Sequence, residues 1–206
     1  MEKTFNDINF FEDERGVDLL NYLYPSIFVM SFFILYFGYR FLRSYITLQK
    51  YLYWIIFGVY FTFLIDLTLF PFPYQKYLIQ IMIEDRLGDL NNFVPFKGVV
   101  DIIRSGSFTI ALKQIGGNIL LFIPFGLAWP ILFPKIMKRK TILIGFSLSL
   151  VIELTQGIAG LFLGYNYRSC DIDDLILNTL GTALGIFIYC VRTNFYIKSD
   201  LVEDKC

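Results

Sequence analysis

The sequence predicts an all-α integral membrane protein, a compact bundle of about five transmembrane helices. Three observations lead there. The 206-residue chain is 56% hydrophobic and only 17% charged, against roughly 25% charged in a soluble domain. Its mean hydropathy is +0.57. Its apolar residues are gathered into runs of the roughly 20 residues that a helix needs to cross hydrocarbon at about 1.5 Å of rise per residue.

Leu19 to Tyr39 is uncharged and ends against Arg40 and Arg43. Tyr51 to Gln75 carries one charge, Asp66, and runs into Pro71 and Pro73. Gln114 to Pro134 is uncharged and stops before Lys135. Thr141 to Tyr167 contains only Glu153, and Leu175 to Val191 is uncharged up to Arg192. Each reads as a spanning helix. The residues before the first span are acidic (Glu2, Asp7, Glu12, Asp13, Glu14, Asp18). A secretory signal leads with positive charge, so this span is expected to be retained.

These runs divide the chain into an acidic N-terminal segment (1–18), two N-terminal helices (19–75), an outer interfacial segment (76–113), a three-helix core (114–192) and a C-terminal tail (193–206). Arg40, Arg43 and Lys50, then Lys135, Lys138, Arg139 and Lys140, then Arg192, Lys198 and Lys205 all fall on one side if there are five spans. Positive charge in short connections marks the cytoplasmic side, so the N-terminus is expected outside and the C-terminus inside. The segment 76–113 is too long for a structureless loop. Tyr77–Glu84 and Phe96–Arg104 mix apolar and charged residues as short interfacial helices do; a small exposed strand element is the alternative.

Formal net charge is zero and no basic tract is present, which argues against nucleic-acid partners. Histidine is absent. That removes Ser–His and Cys–His nucleophile pairs, His-ligated metals and any imidazole base. Cys170, Cys190 and Cys206 show no CxxC spacing. Cys170 and Cys190 flank one span and should lie about 30 Å apart, too far for a disulfide.

Ionisable groups inside hydrocarbon are costly and normally face protein or a watery cavity. Under the five-span topology their depths agree. Asp66 lies late in an outward-running span and Asn118 early in an inward one. Glu153 and Gln156 lie one turn apart in the second half of an outward span. Asp171, Asp174 and Asn178 form an i, i+3, i+7 stripe at the start of the last span, and Arg168 precedes it. All fall toward the outer leaflet, which predicts a polar pocket there. Asp173 points off the stripe, and all three aspartates also suit a first helical turn, where the helix dipole favours acids. Gly181 and Gly185 form a GxxxG pair, Gly160 and Gly164 another, of the kind that brings membrane helices close. Pro124 should bend its span and free a carbonyl near the bundle interior.

Four elements resemble those of VanZ-like proteins. Asn92-Phe93-Val94-Pro95-Phe96 is similar to their N-x-x-P-F element, and Gly117 to Gly126 (GNILLFIPFG) to their N-x-x-x-F-x-P-F-G helix. Ser149 to Gln156 (SLVIELTQ) resembles S-x-x-x-E-x-x-Q, and Arg168 to Gly181 (RSCDIDDLILNTLG) resembles R-x-x-D-x-x-D-x-x-x-N-x-x-G. They occur in order over about half the chain and point to the same residues, with Asn92 added. The resemblance implies a multi-pass protein of the bacterial plasma membrane. The family takes its name from a member linked to lowered susceptibility to teicoplanin-type glycopeptide antibiotics.

Three function classes follow. The first is an envelope protein whose pocket binds an amphiphile: a lipid headgroup, a cell-wall precursor lipid or a lipoglycopeptide. No cofactor is expected for it. The second is a membrane enzyme on a lipid or phosphate-linked substrate, with Asp171, Asp174 and Glu153 holding a divalent cation through oxygen ligands. The third is an ion- or proton-coupled transporter using the buried carboxylates.

Overall fold

The structure, a computed structural model, describes residues 15–86, 88 and 90–203. Residues 1–14 of the acidic N-terminal segment and Cys206 lie outside them. Helices joined by short connections make up the described residues, and five of the helices are long and apolar enough to cross a membrane. Two compact units divide the chain, Met1–Gln75 and Lys76–Cys206.

The first unit holds α1 (Arg15–Leu42) and α2 (Leu48–Leu69). The Thr47 side chain accepts the Lys50 N–H at 3.3 Å and caps the start of α2. The two helices interlock through aromatic rings. Phe37 stacks on Trp54 at 4.0 Å between centroids, and Phe33 lies among Trp54, Phe57 and Phe61. Phe33 comes so close to α2 that a Cβ on Gly58 would stand 2.7 Å from its ring. The helix ends at Leu69, short of the expected Gln75, because Phe70 precedes Pro71 and the pyrrolidine ring disfavours helical backbone before it.

The second unit begins with the two expected short helices, α3 (Lys76–Glu84) and α4 (Lys97–Ser105). Among the described residues of this segment the strand alternative comes down to an isolated bridge, Asn92 to Asp171. The third span starts earlier than expected. It comprises α5 (Phe108–Ala111), a π-helical turn (Leu112–Gly116) and α6 (Gly117–Leu132). Next come α7 (Lys138–Leu163) and α8 (Ile172–Glu203). The basic cluster 138–140 joins the first turn of α7, a place the helix dipole disfavours for cations and so not legible from charge. In turn, α8 continues through most of the segment read as a tail.

A regular seam joins α7 to α8. Gly145 lies against the Thr182 side chain, Ser149 accepts a hydrogen bond from Asn178 Nδ2 at 2.9 Å, and Gly157 faces Cys170. Each step of a helical turn forward on α7 is a step back on α8, so the two helices run antiparallel. Beside α8, α6 runs parallel, with Gly181 against the Ile119 carbonyl and Gly185 against that of Ile123. Gly126 meets the Thr182 carbonyl. These glycines let backbones touch, which is how membrane helices associate without a hydrophobic driving force.

Two sequence expectations are corrected here. Gly164 is not part of a packing pair: at φ +77° it terminates α7 in the left-handed conformation, its N–H returning to the Gly160 carbonyl. Pro124 is exposed, off the stripe of Ile119, Phe122, Ile123 and Gly126 that meets α8. The carbonyl it frees belongs to Leu120, itself 61% exposed, so the seam between α6 and α8 gains no acceptor from it.

Candidate functional site

The site grows from one end of the three long helices of the second unit. Antiparallel packing brings the C-terminal half of α7, the start of α8 and the start of α6 to the same end. The Asn92 backbone hydrogen-bonds across to the start of α8, donating to the Cys170 carbonyl at 3.0 Å and accepting from the Ile172 N–H at 2.9 Å. Its side-chain amide donates to Asp171 Oδ1 at 2.8 Å and Asp173 Oδ2 at 3.3 Å, while its oxygen accepts the Val94 N–H. Nearby, Asn91 Oδ1 accepts the Cys170 N–H at 2.9 Å. The N-x-x-P-F loop is thereby fixed to the R-x-x-D-x-x-D segment.

Asp173 completes that junction. Helix α4 is preceded by Phe96 in the left-handed region (φ 64°) and has no side-chain cap of its own. The Asp173 carboxylate supplies one from α8, accepting the Phe96 N–H and, at 3.2 Å, the Val99 N–H. A helix N-terminus leaves such donors unmet and favours an anion beside them. Asp173 is 3% exposed. Its direction off the stripe is the direction that reaches α4.

Asp171 precedes α8 and caps it, accepting the Asp173 N–H at 2.8 Å. Its own N–H donates to Glu153 Oε2 at 2.8 Å. Asn118 donates to Asp174 Oδ1, which joins α6 to α8. Asn178, 2% exposed, is held by Ser149 one turn deeper.

Above these contacts lies a cavity of about 470 Å³. Gly98, Val99, Asp101 and Ile102 of α4 form one wall, Lys113, Gln114 and Ile115 of the π-helical turn another. Asn118, Gln156, Arg168, Ser169, Asp171, Asp173, Asp174 and Leu177 complete it. Of the expected pocket residues, Asn118, Gln156, Arg168, Asp171 and Asp174 therefore line the cavity, and Asp173 with them. Three do not. Glu153 (4% exposed) and Asn178 lie behind the wall as its supports, and Asn92 ties the loop. Asp66 belongs to the first unit, where it accepts a hydrogen bond from Ser26 at 2.8 Å.

Sequence reading missed Asp101, Lys113, Gln114 and Ser169. Lys113 reads as a flanking charge just before an uncharged run. Only the wide π turn, a distortion frequent at functional sites, sets three consecutive residues on the cavity wall. Among the described residues no three His, Cys, Asp or Glu side chains are grouped so as to hold a metal ion. Burial pushes the Cys170 thiol up, and the neighbouring Glu153 and Asp171 carboxylates add to it.

Fold and site together define a multi-pass helical membrane protein with a polar cavity at one end of its three-helix core. A family model described as VanZ/LLP1 matches residues 57–193, and the chain belongs to that family. The match begins inside α2 and includes Asp66, which the four motifs did not reach. No curated protein and no solved structure matches the chain.

Proposed function

We propose that this VanZ/LLP1-family protein lies in the bacterial plasma membrane, N-terminus outside, and binds the polar headgroup of an amphiphile in this cavity. In this reading the cavity faces the outer leaflet, and a role in lowering glycopeptide susceptibility follows from the family. The observation that carries it is a polar cavity with an apolar, exposed edge. Phe93 (68% exposed), Phe96 (57%) and Ile103 (64%), with Val94 and Val100, project from α4 and the loop before it. The opposite face of α4 presents Gly98, Val99 and Ile102 to the cavity. An interfacial helix of this kind lies with its apolar side in the acyl boundary, where a lipid-borne ligand would enter headgroup first. Below the cavity, fully buried Thr182 fills the seam against Gly145 and Gly126. A seam packed this tightly beneath the cavity favours binding over passage.

The test uses a host lacking this gene, complemented with wild type, Arg168→Ala or Asp174→Asn. Teicoplanin susceptibility and membrane abundance are read together. Variants at normal abundance are expected to behave like the empty host. Variants that protect as wild type does would remove the cavity from the function.

A further inference from the structure

The cavity wall carries both signs of charge, and its side chains differ in how much bonding capacity they have left. Asp173 has both oxygens engaged and little to spare: one accepts the Phe96 N–H and the other accepts the Val99 N–H and Asn92. Asp171 uses Oδ1 for Asn92 and for the Asp173 N–H, while its Oδ2 lies on the Gly98 side, 3.6 Å from where a Cβ there would stand. Asp174 uses Oδ1 for Asn118. Among the described residues no hydrogen bond engages the second oxygen of Asp171 or Asp174, the Asp101 carboxylate or the Lys113 ammonium.

An anion alone would satisfy Lys113 but would face three carboxylates with acceptor capacity, a like-charge arrangement that recognition avoids. A cation alone leaves Lys113 opposed. We infer that the cavity takes a phosphodiester headgroup that also carries hydrogen-bond donors, an ammonium or hydroxyls. The phosphate lies toward Lys113 and Arg168, whose planar guanidinium suits its oxygens. The donors lie toward Asp101, Asp171 and Asp174. This rests on the headgroup-binding reading above and gives it a chemical class. The volume suits it, since sites for small organic groups run from roughly 300 to 1,000 Å³.

The purified full chain in non-ionic detergent is titrated with four dioctanoyl lipids, read by melting temperature and native mass spectrometry. Phosphatidylethanolamine supplies an ammonium and phosphatidylglycerol hydroxyls. Phosphatidylcholine has a phosphodiester without donors, and phosphatidic acid has a phosphate with no head alcohol. The first two are expected to bind about tenfold more tightly than the last two, the value of a charge-assisted hydrogen bond. Asp101→Asn should narrow that gap, and Lys113→Gln should weaken all phosphodiesters alike. Both residues are exposed, so their variants are expected to fold. Equal binding of phosphatidic acid or phosphatidylcholine would overturn the inference and leave the headgroup reading standing. Binding by none of the four would overturn both.

Discussion

Asp173 shows how one side chain joins two segments of the chain that lie far apart in sequence. It sits in the first turn of α8 yet caps α4, about seventy-five residues earlier, where Phe96 takes a backbone conformation that non-glycine residues adopt rarely. Asp173→Ala removes the acceptor of two backbone N–H groups, at roughly 1–3 kcal/mol each. Melting temperature should fall, and hydrogen exchange across residues 92–105 should accelerate more than in α6 or α7. Unchanged exchange there would show that α4 is held by packing instead. The sequence marks Asp173 as a first-turn acid and no more, because its partners are main-chain groups that any residue could supply. Glu153 is the converse case. Its isolation in an apolar run signals a buried group, yet only its hydrogen bond to the Asp171 N–H shows that it stands behind the cavity wall.

The helices meet through glycines, and each glycine's neighbours decide what a methyl group would do. A Cβ on Gly181 would collide with the Ile119 carbonyl, backbone of α6 that cannot turn aside. Gly181→Ala is therefore expected to cost roughly 1–3 kcal/mol through overpacking and to loosen α6 from α8, lowering melting temperature. Gly117→Ala is the matched control, since nothing stands within 4 Å of its Cβ position. Removing a glycine from a helix at an open site should be neutral or stabilising by up to about 1 kcal/mol. Equal destabilisation by both would place the role of Gly181 elsewhere than in close packing. The GxxxG spacing is legible for Gly181 and Gly185, but the same spacing at Gly160 and Gly164 misleads. There the second glycine supplies a positive φ at a helix end, and spacing does not distinguish a contact from a cap.

At the scale of the whole molecule, the proposed topology puts the cavity end of the core outside the cell. Cys170 tests it, since it lies at that end between α7 and α8. Thiolate is the species that alkylates, and burial together with the Glu153 and Asp171 charges holds the Cys170 thiol protonated beyond the ordinary range. Labelling of intact cells by a membrane-impermeant maleimide should therefore be slow near neutral pH and keep climbing above about pH 8.5, where an ordinary thiol is half ionised. Glu153→Gln removes one of the opposing charges and should shift the profile to lower pH. Labelling seen only after permeabilisation would reverse the orientation.

The sequence alone determined that the chain is a helical membrane protein, how many spans it has, and which buried polar residues belong at one end. The physical reason is that hydrocarbon penalises charge and unsatisfied backbone so heavily that span lengths and isolated carboxylates are written in one dimension. Tertiary structure alone decided how those residues divide into wall and support. Asn118, Gln156, Arg168, Asp171, Asp173 and Asp174 face the cavity, whereas Glu153, Asn178 and Asn92 hold it together. That division depends on helix rotation, on a π turn that hydropathy does not register, and on carboxylates meeting backbone N–H groups of distant segments.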